Sequence, residues 1–419
     1  MHMYATRRKK LIQELPSYSI ALFFSGKAPY KVGDEKYEFS VDRNFYYLTG
    51  LDKENMILAL LKTGDITKEL LFLEPYDETQ AKWVGGRILP EEASDISDIE
   101  DIYLLEEAMS TIGSLIMRIY DHEDTVSVYA DFTKQEPFQE DRASFTFCRE
   151  LLKQYPQIQL CNIASNMTRL RLIKDEIEIE QLKEAISITN EGILQMMTFA
   201  EPEIGEHQLE AGFDFVVKSS GCKHSFPSIV AGGEHATILH YADNDSYIED
   251  NELVLCDLGA AYEYMNADIT RTFPVNGTFT PRQRQIYDIV LAANEYIMSL
   301  VKPGVTLRGL NNELIRFYEK ELDALGLLDD EHGVEDYYWH GVSHMLGLET
   351  HDVSLSNYLI EPGNVFTIEP GLYLEEEGIG IRIEDDVLVT KDGCINLSKE
   401  IIKDPDEIER FMKAAKGEE

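Results

Sequence analysis

The chain has 419 residues, and its 38 lysines and arginines against 77 aspartates and glutamates give a formal net charge of −39 at pH 7. This acidity disfavours a nucleic-acid partner and an anionic membrane surface, because both attract basic residues. The length and a hydrophobic content of 44% are typical of a soluble globular protein of two or three domains.

Membrane insertion and disulfide bonding are also not expected. No apolar run reaches the ~18 residues that a membrane-spanning helix requires. The five cysteines are sparse and lack CxxC spacing, which disfavours a disulfide framework and a thiolate metal site. We therefore expect a protein of the reducing cytoplasm.

Short apolar runs alternate with helical patterns over residues 1–162. Buried strands are predicted at 20–24, 56–61 and 70–73, and their alternation with helices indicates an α/β domain. Trp83 is expected to pack inside this domain rather than to reach the site of a neighbouring subunit.

A linker is predicted at 163–174, followed by a second domain at 175–419. Helices should begin near Asp175, at Thr280-Pro281 and at Thr306, where capping residues precede helical apolar spacing. Strand patterns and glycine turns lie between and after these helices. The second domain is therefore predicted to be α+β, with helices packed on a largely antiparallel sheet.

Four carboxylates lie in strand-like segments of this second domain, where a sheet interior should be apolar. They form two pairs, Asp257 with Asp268 and Glu369 with Glu384, each spaced as neighbours across a strand pair. Taken one at a time, each acid is better explained as a solvent-facing strand residue. Burial of all four together would be prohibitive unless cations neutralised them.

Histidines are concentrated near the same segments. Only ten occur in the chain, yet His340, His344 and His351 fall within twelve positions, and His240 precedes the first acidic pair. Carboxylates combined with imidazoles suit Mn²⁺, Co²⁺, Fe²⁺ or Zn²⁺, and two such ions would balance four negative charges. Metal-assisted hydrolysis is the chemistry that follows.

At these residues the sequence resembles the aminopeptidase P (Xaa-Pro aminopeptidase) family of pita-bread metallopeptidases. Residues 43–50, RNFYYLTG, are similar to the family's N-terminal domain, and residues 171–174, RLIK, are similar to the opening of its catalytic domain. The resemblance implies a curved, helix-covered pita-bread sheet and hydrolysis of the bond before a proline at the second position of a peptide. It also implies attack by a metal-bridging hydroxide, two divalent ions, most often Mn²⁺, and a homodimer or homotetramer.

The resemblance also implies roles for the metal ligands. Asp257 would chelate one ion, and Asp268 and Glu384 would bridge both. His344 and Glu369 would complete the second ion, with Glu369 also serving as proton shuttle.

Four further residues have implied roles around the substrate. His240 and His351 would hold the substrate and stabilise the developing oxyanion or the departing proline nitrogen. His340 and Arg382 would line the proline-side pocket, where Arg382 could bind a substrate carboxylate or orient a metal ligand.

Two alternatives remain open. A prolidase would share the fold and the metals but cut only Xaa-Pro dipeptides. A catalytically silent peptide-binding pita-bread module would have lost its metals, which the complete ligand set opposes. Methionine aminopeptidase would not need the N-terminal domain, and creatinase-like members would lack the ligands.

Overall fold

The computed structural model describes residues 3–85 and 87–417. The chain divides into two compact units, residues 1–170 and residues 171–419. The segment 163–174, which we predicted as a linker, holds a helix at Ala164–Leu172, and the division between the units falls inside that helix.

The first unit is built on a six-stranded mixed sheet. Its strand order is β6-β5-β4-β1-β7-β8; β1, β7 and β8 are parallel to one another, β5 is parallel to β6, and β4 runs antiparallel to β1 and β5. A separate hairpin is formed by β2 and β3. The strands are β1 (Ser19–Phe24), β2 (Tyr30–Val32), β3 (Glu35–Lys36), β4 (Ile57–Thr63), β5 (Ile66–Leu73), β6 (Asp101–Leu104), β7 (Val126–Ala130) and β8 (Ile158–Asn162).

Helices cover this sheet with apolar faces. The clearest case is Ala108–Tyr120, which buries Ile112, Leu115, Ile116 and Ile119 at helical spacing against the sheet core. The helices are α1 (Met3–Glu14), α2 (Arg43–Thr49), α3 (Glu78–Val84), α4 (Pro90–Ser97), α5 (Ala108–Tyr120), α6 (Ala143–Gln154) and α7 (Ala164–Leu172).

The second unit carries the antiparallel strands. Every strand pairing in residues 171–417 is antiparallel, as predicted. The strands are β9 (Lys223–His224), β10 (Ile229–Gly232), β11 (Leu253–Leu258), β12 (Ala260–Tyr262), β13 (Met265–Asn266), β14 (Ile269–Pro274), β15 (Val365–Ile368), β16 (Gly371–Leu374), β17 (Ile379–Arg382), β18 (Asp385–Val389) and β19 (Cys394–Asn396).

The helices of the second unit begin at the predicted caps. Side chains of Asp175, Thr280 and Thr306 accept hydrogen bonds from backbone N–H groups of the first turns that follow them. The helices are α8 (Glu176–Phe199), α9 (Glu206–Ser219), α10 (Pro281–Leu300), α11 (Leu307–Ala324) and α12 (Pro405–Ala415). Their apolar faces and the strands share one large hydrophobic core.

The predicted order of an α/β unit followed by an α+β unit is confirmed. The prediction for Trp83 is wrong, because 84% of this residue is exposed on α3 rather than packed inside the unit. Within the described residues, no helix combines the length and the apolar character that crossing a bilayer requires.

Candidate metal centre

The first acidic pair is carried by β11 and β14. Asp257 lies in β11 opposite Thr270, and Asp268 directly precedes β14. Asp268 is two residues from Thr270, so the two aspartates are diagonal neighbours on one face of the strand pair. The chain between them is not a simple turn, because it forms the short strands β12 and β13.

The second acidic pair is carried by β15 and β18. Glu369 directly follows β15, and Glu384 directly precedes β18. The two strands are paired as far as Ile368 and Asp385, which lie opposite one another. The two pairs meet at Thr270, whose Oγ1 donates to Oε2 of Glu384 at 2.7 Å. The backbone N–H of Glu384 also donates to the carbonyl of Thr270 at 3.1 Å. The structure thus brings the four acids to one place.

His344 joins these acids from a loop beside β15. Its backbone N–H donates to Oγ1 of Thr367 at 3.1 Å, and that hydroxyl donates to Oε1 of Glu369 at 3.2 Å. The imidazole Nε2 of His344 lies 3.3 Å from Oδ2 of Asp268 and 3.5 Å from Oε1 of Glu369. Ligand atoms of Asp268, His344 and Glu384 all lie within 4.8 Å of one another.

A buried carboxylate oxygen indicates that a cation fits here. Oδ2 of Asp257 accepts from Nη2 of Arg382 at 2.7 Å, whereas Oδ1 is buried and has no hydrogen-bond partner among the described residues. An acceptor buried without a donor is costly, and a metal ion would satisfy it. Carboxylate oxygens with one imidazole nitrogen are a donor set for Mn²⁺, Fe²⁺, Co²⁺ or Zn²⁺.

The raised pKa values of three of these acids also indicate that a cation fits here. Burial, and after it the neighbouring carboxylates, raises the pKa of Asp268 and of Glu384 well above the usual range. Burial likewise raises the pKa of Glu369. Divalent cations would offset this repulsion and favour the ionised acids.

Arg382 forms hydrogen bonds with three neighbouring side chains of the site. Its buried guanidinium donates from Nε to Oγ1 of Thr270 at 3.0 Å, from Nη1 to Oη of Tyr373 at 2.9 Å, and from Nη2 to Asp257. The guanidinium is therefore directed at a proposed metal ligand and at two neighbouring hydroxyls.

His340 is held by the same tyrosine. Its Nδ1 lies 2.9 Å from the carbonyl of Gly341, which can only accept, so Nδ1 carries the proton. Nε2 is then the acceptor for the Tyr373 hydroxyl at 2.8 Å. Burial, followed by the charge of Arg382, lowers the pKa of His340 to about 3, which keeps the ring neutral.

His351 lies against His344, with ring centroids 4.3 Å apart in an edge-on arrangement. Burial, followed by His344 and His240, lowers the pKa of His351. All nine residues predicted from the sequence line a single cavity of about 560 Å³. One part of its wall is apolar and consists of Phe226, Pro227, Ile229, Leu239 and Ala242.

Sequence reasoning missed three residues that contact the proposed site residues, namely Thr270, Thr367 and Tyr373. All three lie on buried strands, where threonine and tyrosine are common for packing reasons alone. Only their distance from the acids marks them, and that distance depends on the strand register.

Residues 180–391, about half of the chain, match the family model described as metallopeptidase family M24. The chain belongs to metallopeptidase family M24. Residues 4–122 match the model of the aminopeptidase P N-terminal domain. The M24 match includes all five residues predicted as metal ligands.

Relatives of this M24 chain are similar over its full length. A Xaa-Pro aminopeptidase of Escherichia coli is 31% identical and covers 99% of this chain and 98% of its own length. A structure described as a candidate aminopeptidase P from Bacillus anthracis is 44% identical, with a TM-score of 0.95 and coverage of 99% and 98%. Zn-substituted Escherichia coli aminopeptidase P in complex with product is 30% identical, with a TM-score of 0.90 and the same coverage.

These likenesses confirm the predicted pita-bread catalytic domain in the second unit of this M24 protein. The M24 family consists of metallopeptidases, so the chain is a hydrolase that depends on divalent metal ions. The donor set described above fits such ions.

Proposed function

We propose that this chain is a metal-dependent aminopeptidase that removes the first residue from peptides with proline at the second position. The supporting observation is the convergence of two buried carboxylates, two partly buried carboxylates and His344 on one cavity, in a chain similar from end to end to Xaa-Pro aminopeptidases. The bond before proline is a tertiary amide with a fixed φ at proline, so an enzyme dedicated to it is chemically reasonable.

We assign the metal ligands as the resemblance implies. Asp257 would hold one ion, Asp268 and Glu384 would hold both, and His344 with Glu369 would complete the second. Two ions, most commonly Mn²⁺ with Co²⁺, Fe²⁺ or Zn²⁺ as alternatives, balance the four negative charges. When bound, they would supply an activated water and polarise the peptide carbonyl.

Glu369 is the proposed proton carrier. Its Oε1 accepts from Oγ1 of Thr367, which orients the carboxylate, and its Oε2 lies 3.6 Å from Nδ1 of His340 without a hydrogen bond between them. The raised pKa of this carboxyl suits a group that takes a proton from water and returns it to the proline nitrogen. A tertiary amide nitrogen must gain that proton in order to leave.

The remaining histidines and the arginine are proposed to handle the substrate. His351, kept neutral by its lowered pKa, and His240 would hold the peptide and stabilise the oxyanion or the departing nitrogen. His340 and Arg382 would lie on the proline side. The contacts of Arg382 support an orienting role toward Asp257 over direct binding of a substrate carboxylate.

Location and assembly are proposed on separate grounds. All five cysteines are free, which suits the reducing cytoplasm. The resemblance to Xaa-Pro aminopeptidases is the ground for proposing a homodimer or homotetramer. The acidic chain is not expected to bind nucleic acid or anionic membranes.

A peptide panel tests the proposed activity. Mn²⁺-loaded protein is incubated with a tripeptide Xaa-Pro-Yaa, the matched Xaa-Ala-Yaa and the dipeptide Xaa-Pro, and the products are identified by mass spectrometry. Release of Xaa from Xaa-Pro-Yaa but not from Xaa-Ala-Yaa is the expected result. Cleavage of the dipeptide alone would indicate a prolidase, and failure to bind metal under any loading condition would indicate a silent binding module.

A further inference from the structure

A buried ion cluster lies behind the loop 344–352, which we call the histidine loop because His344 and His351 are at its two ends. The Asp352 carboxylate accepts from Nη2 of Arg171 at 2.5 Å and from Nζ of Lys174 at 2.8 Å. At most 3% of each of these three side chains is exposed. None of the three lines the cavity.

Such a cluster is a weak explanation for stability by itself. Desolvation of buried charges offsets most of their attraction, and apolar residues often serve stability equally well. What the cluster does supply is direction, because two cations fix both carboxylate oxygens of Asp352. Nζ of Lys174 also donates to the carbonyl of Arg171 at 2.8 Å, which ties the two cations to one backbone segment.

The first half of the histidine loop is held by the sheet. Met345 forms a bridge with Phe366 of β15, and the N–H of Leu346 donates to the carbonyl of Val365 at 3.1 Å. His344 is therefore fixed by main-chain hydrogen bonds that do not involve the cluster.

The second half of the loop is held by three contacts: Nη2 of Arg171 donates to Oε2 of Glu349 at 3.1 Å, Oγ1 of Thr350 donates to the carbonyl of Ser225 at 3.3 Å, and Asp352 holds the end next to His351. The N–H of Asp352 donates to the carbonyl of Met345 at 2.8 Å and closes the loop, while its carboxylate is held by the cluster. The imidazole of His351 forms no hydrogen bond with any of the described residues. The position of that ring therefore follows from the backbone at 351–352 and from its contact with His344.

The cluster also packs directly on the loop backbone at Gly347. A Cβ atom there would lie 2.3 Å from Oδ2 of Asp352 and 2.7 Å from Nζ of Lys174. The ion cluster and the loop are therefore in close contact, and a shift of one is transmitted to the other.

We propose that Asp352, held by Arg171 and Lys174, is a positioning residue that sets the imidazole of His351 against that of His344. This inference rests on the proposed function, since His351 is useful only if it meets the substrate. It assigns a task in the reaction to Arg171 and Lys174 at the opening of the catalytic unit, although neither touches the site.

The variant Lys174→Met tests this most cleanly, because Asp352 keeps its pair with Arg171 and the fold should survive. We expect kcat for an Xaa-Pro-Yaa tripeptide to fall at least tenfold, with KM changed less than threefold and the Mn²⁺ content unchanged. Asp352→Asn should act in the same direction and more strongly. Leu322→Ala, a core truncation in α11, is the control for general destabilisation and should retain kcat.

A double-mutant cycle separates positioning from a structural role. If Lys174 acts through His351, Lys174→Met should cause no further fall in kcat when His351→Ala is already present. Multiplying effects would overturn the proposal, as would an unchanged kcat in both single variants. Insoluble protein from both single variants would assign the cluster to folding instead.

Crystal structures of Mn²⁺-loaded wild type and Lys174→Met give a readout that does not depend on activity. The His351 ring should move away from His344 in the variant while the ligand His344 stays in place. An unmoved His351 ring would overturn the inference even in an active enzyme. A wild type that leaves every Xaa-Pro-Yaa peptide intact would instead overturn the proposed function, and the two structures would still decide the positioning role.

Discussion

Four acidic side chains set the chemistry of the cavity: Asp257 lies within a strand, and the other three lie directly beside the end of one. Their burial is acceptable only with compensation by cations, since Asp268 and Glu384 repel one another and Oδ1 of Asp257 lacks a donor. Within this group, Glu369 differs from the other acids in that its carboxyl is also proposed to carry a proton.

Glu369→Gln should leave the fold intact and lower kcat by about 10²–10⁴-fold, because an amide cannot carry the proton. The measurement is steady-state hydrolysis of an Xaa-Pro-Yaa tripeptide with the metal content determined in parallel. Glu319→Gln, an exposed change on α11, is the control and should be neutral. Unchanged turnover in Glu369→Gln would contradict the assigned role.

Tyr373→Phe should lower the unfolding free energy by about 1–3 kcal/mol, the usual cost of leaving buried partners unpaired. The change removes the hydroxyl that accepts from Arg382 and donates to His340. Urea denaturation of the metal-free protein measures this loss of unfolding free energy. Tyr296→Phe, at a residue that is 36% exposed, is the matched control. Equal stability of the two variants would show that the hydroxyl is dispensable.

The proposed ligands could be singled out from the sequence, because acids in strand-like apolar segments violate the expected burial and His344 stands in a histidine-rich segment. Tyr373 and Thr270 could not, because their types are ordinary for buried strands. The contacts of such residues with the acids depend on the strand register. Thr270, for example, lies opposite Asp257, and its hydroxyl donates to Glu384.

At the scale of elements, the site depends on how loops are fixed to the sheet. β15 carries Glu369 at its end and holds His344 through Thr367, so one strand positions two proposed ligands. The second half of the histidine loop is held instead by side chains, chiefly by Arg171 and Lys174 through Asp352, with further contacts at Glu349 and Thr350.

The contribution of Asp352 to stability should depend on pH in a definite direction. Burial opposes its ionisation, but Arg171 and Lys174 outweigh burial and lower its pKa. A lowered pKa gives stability that is complete above the unfolded pKa of about 3.9 and is lost as the pH falls through the folded value. The difference in unfolding free energy between wild type and Asp352→Asn should therefore be constant from pH 7 to pH 5 and shrink below pH ~4.

Urea denaturation of both proteins between pH 3 and pH 7 measures that difference. Lys183→Met, which removes an exposed lysine of α8, is the control and should show no such trend. A difference that stays constant down to pH 3 would mean that Asp352 is not held as an ionised group.

Element starts were more predictable than element connections. The capping residues Asp175, Thr280 and Thr306 mark helix starts through hydrogen bonds to the first turn. Such local contacts can be predicted from the residue types alone. The segment 163–174 was predicted as a linker because its basic run precedes a cap. Its helix, Ala164–Leu172, has a weaker local signal.

At the scale of the whole molecule, the net charge of −39 and the chemistry of the site are separate matters. Only four of the 77 acidic residues are proposed ligands, so nearly all of the negative charge comes from residues outside the proposed metal site. It should favour solubility and repel polyanions such as nucleic acids. Two divalent ions would change the total only from −39 to −35.

We propose that the converging acids hold two metal ions on which hydrolysis of the Xaa-Pro bond depends. The most direct test of this proposal is to strip the protein of metal and titrate Mn²⁺ back while following release of the first residue from an Xaa-Pro-Yaa tripeptide. Activity should be absent in the stripped protein and rise to a plateau at two equivalents of Mn²⁺. Full activity without metal, or no hydrolysis at any loading, would contradict it.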